Sequence, residues 1–314
     1  IAGRLPTLEE TEQFLASTDP EKRNQWIDTL LSKTEYADYF TRKWVMLLRS
    51  RVDQTSQVRG SIALQQWIRE ALYHNRPYSE FVTELLTASG DLEDNPLVNW
   101  WRNIKEPSDQ VENTAQIFLG LRLACARCHH HPFEKWSQQD YYGLAAFFSR
   151  VGRKNIIGGN NQVRDKRIFA IDNQGPAQAR NERSGKMLSP TGLGGQPLTV
   201  KPEDDPRILL ADWMSDAQNP FFAKVLVNRY WKHFFNRGLI EPEDDIRDSN
   251  PASNPELLDA LARHFIEHGF DLKDLVRTIC QSNVYQLSSA ANDYNLKDTQ
   301  HFARFYPRRM SAEV

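Results

Sequence analysis

A stretch rich in glycine and proline, residues 152–205, is the feature that most constrains how this chain can fold. It contains eight of the 15 glycines and four of the 16 prolines. Both residue types interrupt helices and strands, so regular patterns on either side cannot run through it. Two short runs within it, 167–171 and 197–200, have a strand-like composition. We therefore expect an irregular segment with short β elements that joins two regions.

Helical patterns occupy the region before this segment. In residues 1–151, apolar side chains recur at helical spacing after residues that favour helix starts. One of these helices is expected to run from about Asp109 towards Cys125. The predicted helix starts are Thr7, Asp19, Ser79 and Ser137.

In residues 206–314, helices begin where a capping residue is followed by proline, which has no N–H to lose at the first helical position. The predicted starts are Asp205, Asn219, Asn254 and, without proline, Asp271. The helix after Asn219 is expected to close at Gly238. The sequence thus predicts a mainly α fold, with helical domains at 1–151 and 206–314 joined by the irregular segment at 152–205.

Composition narrows the class of protein. The 39 basic and 41 acidic side chains nearly balance, which argues against a dedicated nucleic-acid binder. The hydrophobic content of 40% is enough to bury a core. The longest apolar runs, such as residues 44–48, are too short to span a membrane. Three cysteines are too few for a disulfide framework, and Cys280 has the helical apolar neighbours of a buried core thiol.

The segment that indicates chemistry is residues 125–133, CARCHHHPF, which holds the one Cys-x-x-Cys-His motif of the chain. This spacing is the attachment signature of c-type haem. Two thiols add to the two vinyl groups of one porphyrin edge, and the following histidine lies under the iron. The motif predicts Cys125 and Cys128 as thioether anchors and His129 as axial ligand. Because this attachment occurs outside the cytoplasm, it also predicts a periplasmic or cell-surface protein.

Three other interpretations of the motif remain open. Zinc or another transition metal could be held by Cys125, Cys128, His129 and His131, although adjacent histidines reach around a tetrahedral ion with difficulty. A dithiol redox pair favours a helix N-terminus, whereas this pair is expected at a helix C-terminus. In the third interpretation, Cys125 and Cys128 form only a disulfide in a surface-interaction or carbohydrate-associated scaffold.

The sequence does not identify a second axial haem ligand. Met214 is expected in the core. His264 and His268 are four apart, a spacing that can share a metal, but a solvated helix face is the favoured interpretation. The candidates are Met46, Met187, Met214, Met310, His74, His233, His264, His268 and His301.

Two further features have structural interpretations. The acidic run at 241–248 lacks calcium-loop spacing, so a role in turns and caps is favoured. The indoles of Trp100, Trp101 and Trp136 are assigned to the core rather than to a carbohydrate or partner surface.

Several segments of the chain resemble known families. ENTAQIFLG at 112–120, the motif at 125–133 and DYYGLAAFF at 140–148 resemble a planctomycete cytochrome-c-like domain of unknown function. NPFFA at 219–223 and SNPELL at 253–258 are similar to the companion domain usually fused behind it. The resemblance covers nearly the whole chain.

This resemblance implies an exported protein whose cytochrome-like character rests on the motif of Cys125, Cys128 and His129. Together with the motif, it leads us to expect a c-type haem protein in extracytoplasmic electron transfer or redox chemistry. It implies a redox partner protein, or other domains of a longer protein, as partners. It also implies that this chain, whose Ser311 reads as the N-cap of a helix cut short, is an internal portion of such a protein. The family pattern has histidine at the position of His131, which strengthens the alternative of a Cys/His-bound metal.

Overall fold

The computed structural model describes residues 1–50, 58–91, 94–104, 106–157, 163–171, 175–307 and 309–310. Its described residues form a mainly α-helical protein, as predicted. The helices before the irregular segment are α1 (Leu8–Ala16), α2 (Lys22–Ser32), α3 (Thr34–Leu47), α4 (Val58–Tyr73), α5 (Tyr78–Thr87), α6 (Val98–Asn103), α7 (Pro107–Thr114) and α8 (Gln138–Ala145). The helices after it are α9 (Pro206–Ser215), α10 (Phe222–Phe235), α11 (Pro255–Glu267) and α12 (Leu272–Gln281). Ser311 lies outside the described residues.

The irregular segment contains two small antiparallel pairs of strands. Strand β1 (Val151–Ile157) pairs with β2 (Val163–Ile171), and β3 (Ala179–Arg180) pairs with β4 (Met187–Leu188). The strand predicted at 167–171 is confirmed within β2. The strand predicted at 197–200 is wrong, because that run is a loop in which Leu198 N donates to Pro190 O.

Helix starts that depend on local capping are confirmed. Thr7 and Ser137 both form capping boxes, and Asp205, Asn254 and Asp271 accept hydrogen bonds from the first turns of their helices.

Two predicted helix starts are wrong. The Asp19 carboxylate accepts from Glu21 N, so it caps a turn, and α2 begins later, at Lys22. Helix α5 begins at Tyr78, directly after Pro77, and Ser79 lies inside it.

The helix around Asn219 also differs from its prediction. Asn219 Oδ1 accepts from Phe221 N and Phe222 N, and α10 begins at Phe222. The helix ends at Asn236, whose φ of 63° is left-handed, rather than at Gly238.

The helix predicted to reach Cys125 ends five residues earlier. After α7 the chain continues as a π turn (Ala115–Leu119) and stops at Gly120, whose φ is 68°. A Cβ atom at Gly120 would lie 2.8 Å from Val225 Cγ2, so the close approach of α10 also requires glycine there. Arg229 of α10 donates to the carbonyls of Gln116 and Ile117, which satisfies the π turn.

Both helical regions contribute to one hydrophobic core. Tyr78 of α5 stacks on Phe222 of α10 at 4.7 Å between ring centroids, and Phe40 of α3 stacks on Tyr230 at 5.4 Å. Tyr78 N donates to Phe270 O, which lies between α11 and α12. The predicted core positions are confirmed as buried: Trp100, Trp101, Trp136, Met214 and Cys280. Burial raises the pKa of the Cys280 thiol to about 12.

A buried arginine ties the irregular segment to the helices. Arg150 is buried, and its guanidinium donates to the backbone carbonyls of Lys201, Pro202, Asp204 and Gly175. Carbonyl oxygens from two parts of a loop thus converge on one cation, which fixes a segment that has little regular structure of its own. No helix in the described part of the chain is both long and apolar enough to cross a membrane.

Candidate cofactor site

The Cys-x-x-Cys-His motif forms a single helical turn. Residues Ala124–Arg127 make a 3₁₀ turn, and Cys125 O accepts from Cys128 N at 3.2 Å and from His129 N at 3.3 Å. The 3₁₀ turn ends at Arg127, and Cys125, Cys128 and His129 are all exposed. Ala126, between the two cysteines, is fully buried. Burial of Ala126 anchors this exposed turn to the core.

Both thiols of the motif are accessible. Cys125 and Cys128 are exposed, free cysteines, with no disulfide between them. The turn is separated from α7 by Gly120, so the pair does not lie at the C-terminus of a long helix. The Arg127 carbonyl accepts from Gln138 Nε2 at 3.1 Å, which attaches the turn to the start of α8.

The imidazole of His129 is held in a defined orientation. Its Nδ1 lies 2.6 Å from the carbonyl oxygen of His130. A carbonyl can only accept, so Nδ1 carries the proton and donates it. The neutral ring then has an unprotonated Nε2. This is the tautomer that ligating histidines adopt when Nδ1 donates to a backbone carbonyl.

His131 is oriented differently. Its backbone N donates to Trp136 O at 2.9 Å, and its Nδ1 accepts from Phe133 N at 3.3 Å. The neutral ring therefore carries its proton on Nε2. Among the described residues, the group of ligand atoms gathered within 4.8 Å consists of His264, His268 and Asp274. The ligand atoms of Cys125, Cys128, His129 and His131 therefore do not form such a group, although the four residues lie close together along the chain.

The acidic run of the C-terminal region, residues 241–248, contacts the chain just before and just after the motif segment. Ile246 N donates to Gly120 O at 2.8 Å, and Lys135 Nζ lies 3.3 Å from Asp248 Oδ2. Carboxylates of the run are engaged in ion pairs with Lys232, Arg122, Arg247 and Lys135. Their role is structural, in agreement with the sequence interpretation.

Asp244 forms an ion pair with Arg122, which precedes the 3₁₀ turn of the motif by two residues. Its carboxylate accepts from Arg122 at 2.6 Å and from Gln116. Burial opposes its ionisation, but the hydrogen bonds from Arg122 and Gln116 outweigh burial and keep the pKa of Asp244 below its ordinary value. This carboxylate links the π turn, the motif and the C-terminal region.

Replacing Asp244 by asparagine is expected to lower the free energy of unfolding at neutral pH by about 1–2 kcal/mol, because charged hydrogen bonds are lost and Arg122 is half exposed. The folded-state pKa is depressed, so this stability is present above the unfolded pKa of about 3.9 and lost as the pH falls through the folded value. Urea denaturation of both chains at neutral and acidic pH measures the difference. Asp248→Asn is the control, since its carboxylate is 83% exposed. An equal loss of unfolding free energy in both variants would contradict the assignment of Asp244 as a stabilising hydrogen-bond and ion-pair acceptor.

A second carboxyl beside the motif was not identified from the sequence. Glu134 is only 8% exposed, and its Oε1 lies 3.8 Å from Arg247 Nε. Burial raises its pKa, and the charge of Arg247 offsets this in part. A cavity of about 320 Å³ lies next to the residues that directly follow the motif segment. It is lined by Glu134, Trp136, Phe221 and Arg247, among others. Glu134 meets Arg247 only through the tertiary fold, so local sequence carries no signal for it.

The candidate second axial ligands lie in varied environments. Met214 is buried in the core, and the His233 ring packs against Tyr39 and Phe40. The exposed candidates include Met46, Met187, Met310, His74, His268 and His301. The identity of the second ligand stays a prediction.

Comparison with known families gives one match before the irregular segment and one after it. Residues 1–153 match the PSCyt2 family, described as a protein of unknown function (DUF1549). Residues 206–314 match the PSD1 family, described as a protein of unknown function (DUF1553). No curated protein and no solved structure matches the chain. The N-terminal part of the chain is therefore similar to the PSCyt2 family and the C-terminal part to the PSD1 family, both of unknown function.

Proposed function

We propose that this chain is a c-type haem protein that transfers electrons or performs redox chemistry outside the cytoplasm. Cys125 and Cys128 would hold one haem covalently, and His129 would be its axial ligand. The observation that supports the proposal is a motif whose two thiols are free and exposed and whose His129 ring, with Nδ1 on a backbone carbonyl, has an unprotonated Nε2. The name of the PSCyt2 family also hints at cytochrome-like character.

The two thiols and the imidazole of this motif suit a covalently bound haem. Two thiols three residues apart match the two vinyl positions of a porphyrin, and an imidazole on the next residue suits the iron. Both thiols are exposed, so attachment requires no opening of the core. The Phe133 ring, 71% exposed beside the motif, offers apolar surface to a porphyrin.

A bound haem would supply a one-electron centre. The chain's own residues would fix and tune it. His130 O holds the His129 ring in its ligating tautomer, and Ala126 anchors the turn. The buried Glu134 keeps its proton to higher pH than an ordinary glutamate, which gives the motif segment a titratable group. The exposed turn leaves the attachment site accessible to a redox partner protein or to another domain of a longer protein. Covalent attachment would place the protein in the periplasm or at the cell surface.

The same turn also supports a second candidate, a bound transition-metal ion. Free thiols and an unprotonated imidazole nitrogen are ligands for zinc as well as anchors for haem. His131 would have to turn away from Phe133 N to join them. The test must therefore distinguish a covalent porphyrin from a metal ion.

The test is an absorption spectrum with a pyridine haemochrome assay, on protein matured through a c-type pathway. We expect a covalent haem spectrum in the wild type and in His131→Ala. We expect its loss in Cys125→Ser/Cys128→Ser and an altered spectrum in His129→Ala. A colourless wild-type protein, matured beside a working control cytochrome, would contradict the haem proposal. Stoichiometric metal in that colourless protein, lost in Cys125→Ser/Cys128→Ser, would establish the second candidate.

A further inference from the structure

A second cluster of potential ligands lies far along the chain from the motif. His264, on α11, and Asp274, on α12, meet with 2.8 Å between Nε2 and Oδ2. His268, at the end of α11, stacks beside His264 with 3.9 Å between ring centroids. One ligand atom from each residue lies within 4.8 Å of the others. The expectation of a simple solvated face is therefore wrong for His264, which is half-buried against the next helix.

The three side chains are held by the fold. His268 Nδ1 lies 2.8 Å from His264 O, so Nδ1 donates and Nε2 is left unprotonated. Asp274 lies in the first turn of α12, where its N–H donates to the capping carboxylate of Asp271 at 2.8 Å. The hairpin between α11 and α12 is closed by Phe270 N, which donates to Phe265 O. Both helices thus present their ligands from fixed backbone positions.

We propose that His264, His268 and Asp274 bind a divalent first-row transition metal, with Zn²⁺ as the probe. Imidazole nitrogens suit these metals, and a carboxylate completes a two-histidine, one-carboxylate set. Zinc takes four ligands, so three protein ligands leave one position for water, as in open zinc sites. The Thr278 hydroxyl lies 3.1 Å from His264 Nε2 and adds an oxygen beside the three ligands.

Two contacts of Asp274 compete with metal binding, its hydrogen bond with His264 and its ion pair with Arg277. Without metal, His264 Nε2 donates to Asp274, so this nitrogen must give up its proton to Nδ1 before it can bind. Arg277 NH1 lies 3.4 Å from the other oxygen, Asp274 Oδ1. Its charge is compensated by Asp28, which lies 2.6 Å from Arg277 Nε. One carboxylate oxygen therefore faces the arginine while Oδ2 faces the histidines.

The test is Zn²⁺ titration calorimetry on the full chain carrying Cys125→Ser/Cys128→Ser, which removes the thiolate ligands of the motif. We expect one tight Zn²⁺ equivalent in this background. Adding His268→Ala should weaken that equivalent by at least about 100-fold, because even an indirect partner of a ligand costs 10–100-fold in metal affinity. His74→Ala is the matched control, since His74 is an exposed histidine beside a single carboxylate, Glu70.

Asp274→Asn provides a second variant that keeps the shape of the side chain, in case His268→Ala disturbs the end of α11. It should weaken Zn²⁺ binding in the same way, with an unchanged far-ultraviolet circular dichroism spectrum. The proposal is overturned if the background chain binds no Zn²⁺. It is also overturned if folded His268→Ala and Asp274→Asn chains keep the affinity of the background. The presence or absence of haem on the motif changes neither outcome.

Discussion

Replacing Arg207 by alanine is expected to lower the free energy of unfolding by about 3–5 kcal/mol, the cost of removing one partner of a buried ion pair. Arg207 is only 2% exposed, and its NH2 lies 2.8 Å from Asp205 Oδ2. It also donates to the carbonyls of Ala88 and Thr87, and it lies over the Trp101 ring. Alanine would leave two carbonyls without their donor and the Asp205 carboxylate with only the backbone N–H of residue 207, at the junction of α5 and α9.

Arg69→Ala is the control for this effect. Arg69 pairs with Asp38 at 2.6 Å, but both side chains are more than a third exposed. An exposed pair of this kind contributes about 0–1 kcal/mol. Urea denaturation of the wild type and both variants measures the two losses. Equal losses would contradict the assignment of Arg207 as one partner of a stabilising buried ion pair.

Replacing Trp231 by alanine is expected to cost about 3–5 kcal/mol of unfolding free energy, because a large buried side chain is removed. Trp231 is 2% exposed in α10. It stacks on Phe235 with 4.1 Å between centroids and meets Phe302 edge-on at 5.3 Å. The contact with Phe302 ties the C-terminal residues to α10, so alanine should also loosen that segment.

Trp231→Phe keeps an aromatic ring in the core and removes the indole N–H, so it measures how much of the loss comes from each. The indole Nε1 has no hydrogen-bond partner in the structure, so its removal should cost little. We expect a loss below about 1.5 kcal/mol for this variant. Thermal and urea denaturation measure both variants. A near-neutral Trp231→Ala would show that this side chain is not part of the core.

The sequence predicts those features that depend on local chemistry. The capping boxes at Thr7 and Ser137 are confirmed, because a side chain and the backbone three residues ahead are sufficient to form them. The mainly α class is confirmed for the same reason, since apolar periodicity reports the buried face of each helix. The burial of Cys280 follows from that periodicity.

Features set by long-range contacts could not be predicted. The helix before the motif stops at Gly120 because α10 approaches it there, which no local pattern reveals. Glu134 is buried by a loop more than a hundred residues away in the chain, through Arg247. The histidine spacing at 264 and 268 was visible, whereas Asp274 joins them only because α12 folds back on α11.

The candidate site was predicted in part. The spacing of Cys125, Cys128 and His129 predicts them as the site, and in the structure all three are exposed at or next to one 3₁₀ turn. The orientation of each imidazole required the structure, because it depends on the carbonyl of His130 and on Phe133 N. Those two hydrogen bonds separate His129, which is ready to ligate, from His131, which is not.

The most direct test of the central claim is the intact mass of the denatured protein after c-type maturation. A covalent haem survives denaturation, so the account predicts a wild-type mass raised by one haem. Cys125→Ser/Cys128→Ser should have the mass of the polypeptide alone, and His131→Ala should keep the added mass. A wild-type chain with only its polypeptide mass, matured beside a control cytochrome that carries haem, would contradict the assignment of Cys125 and Cys128 as haem anchors.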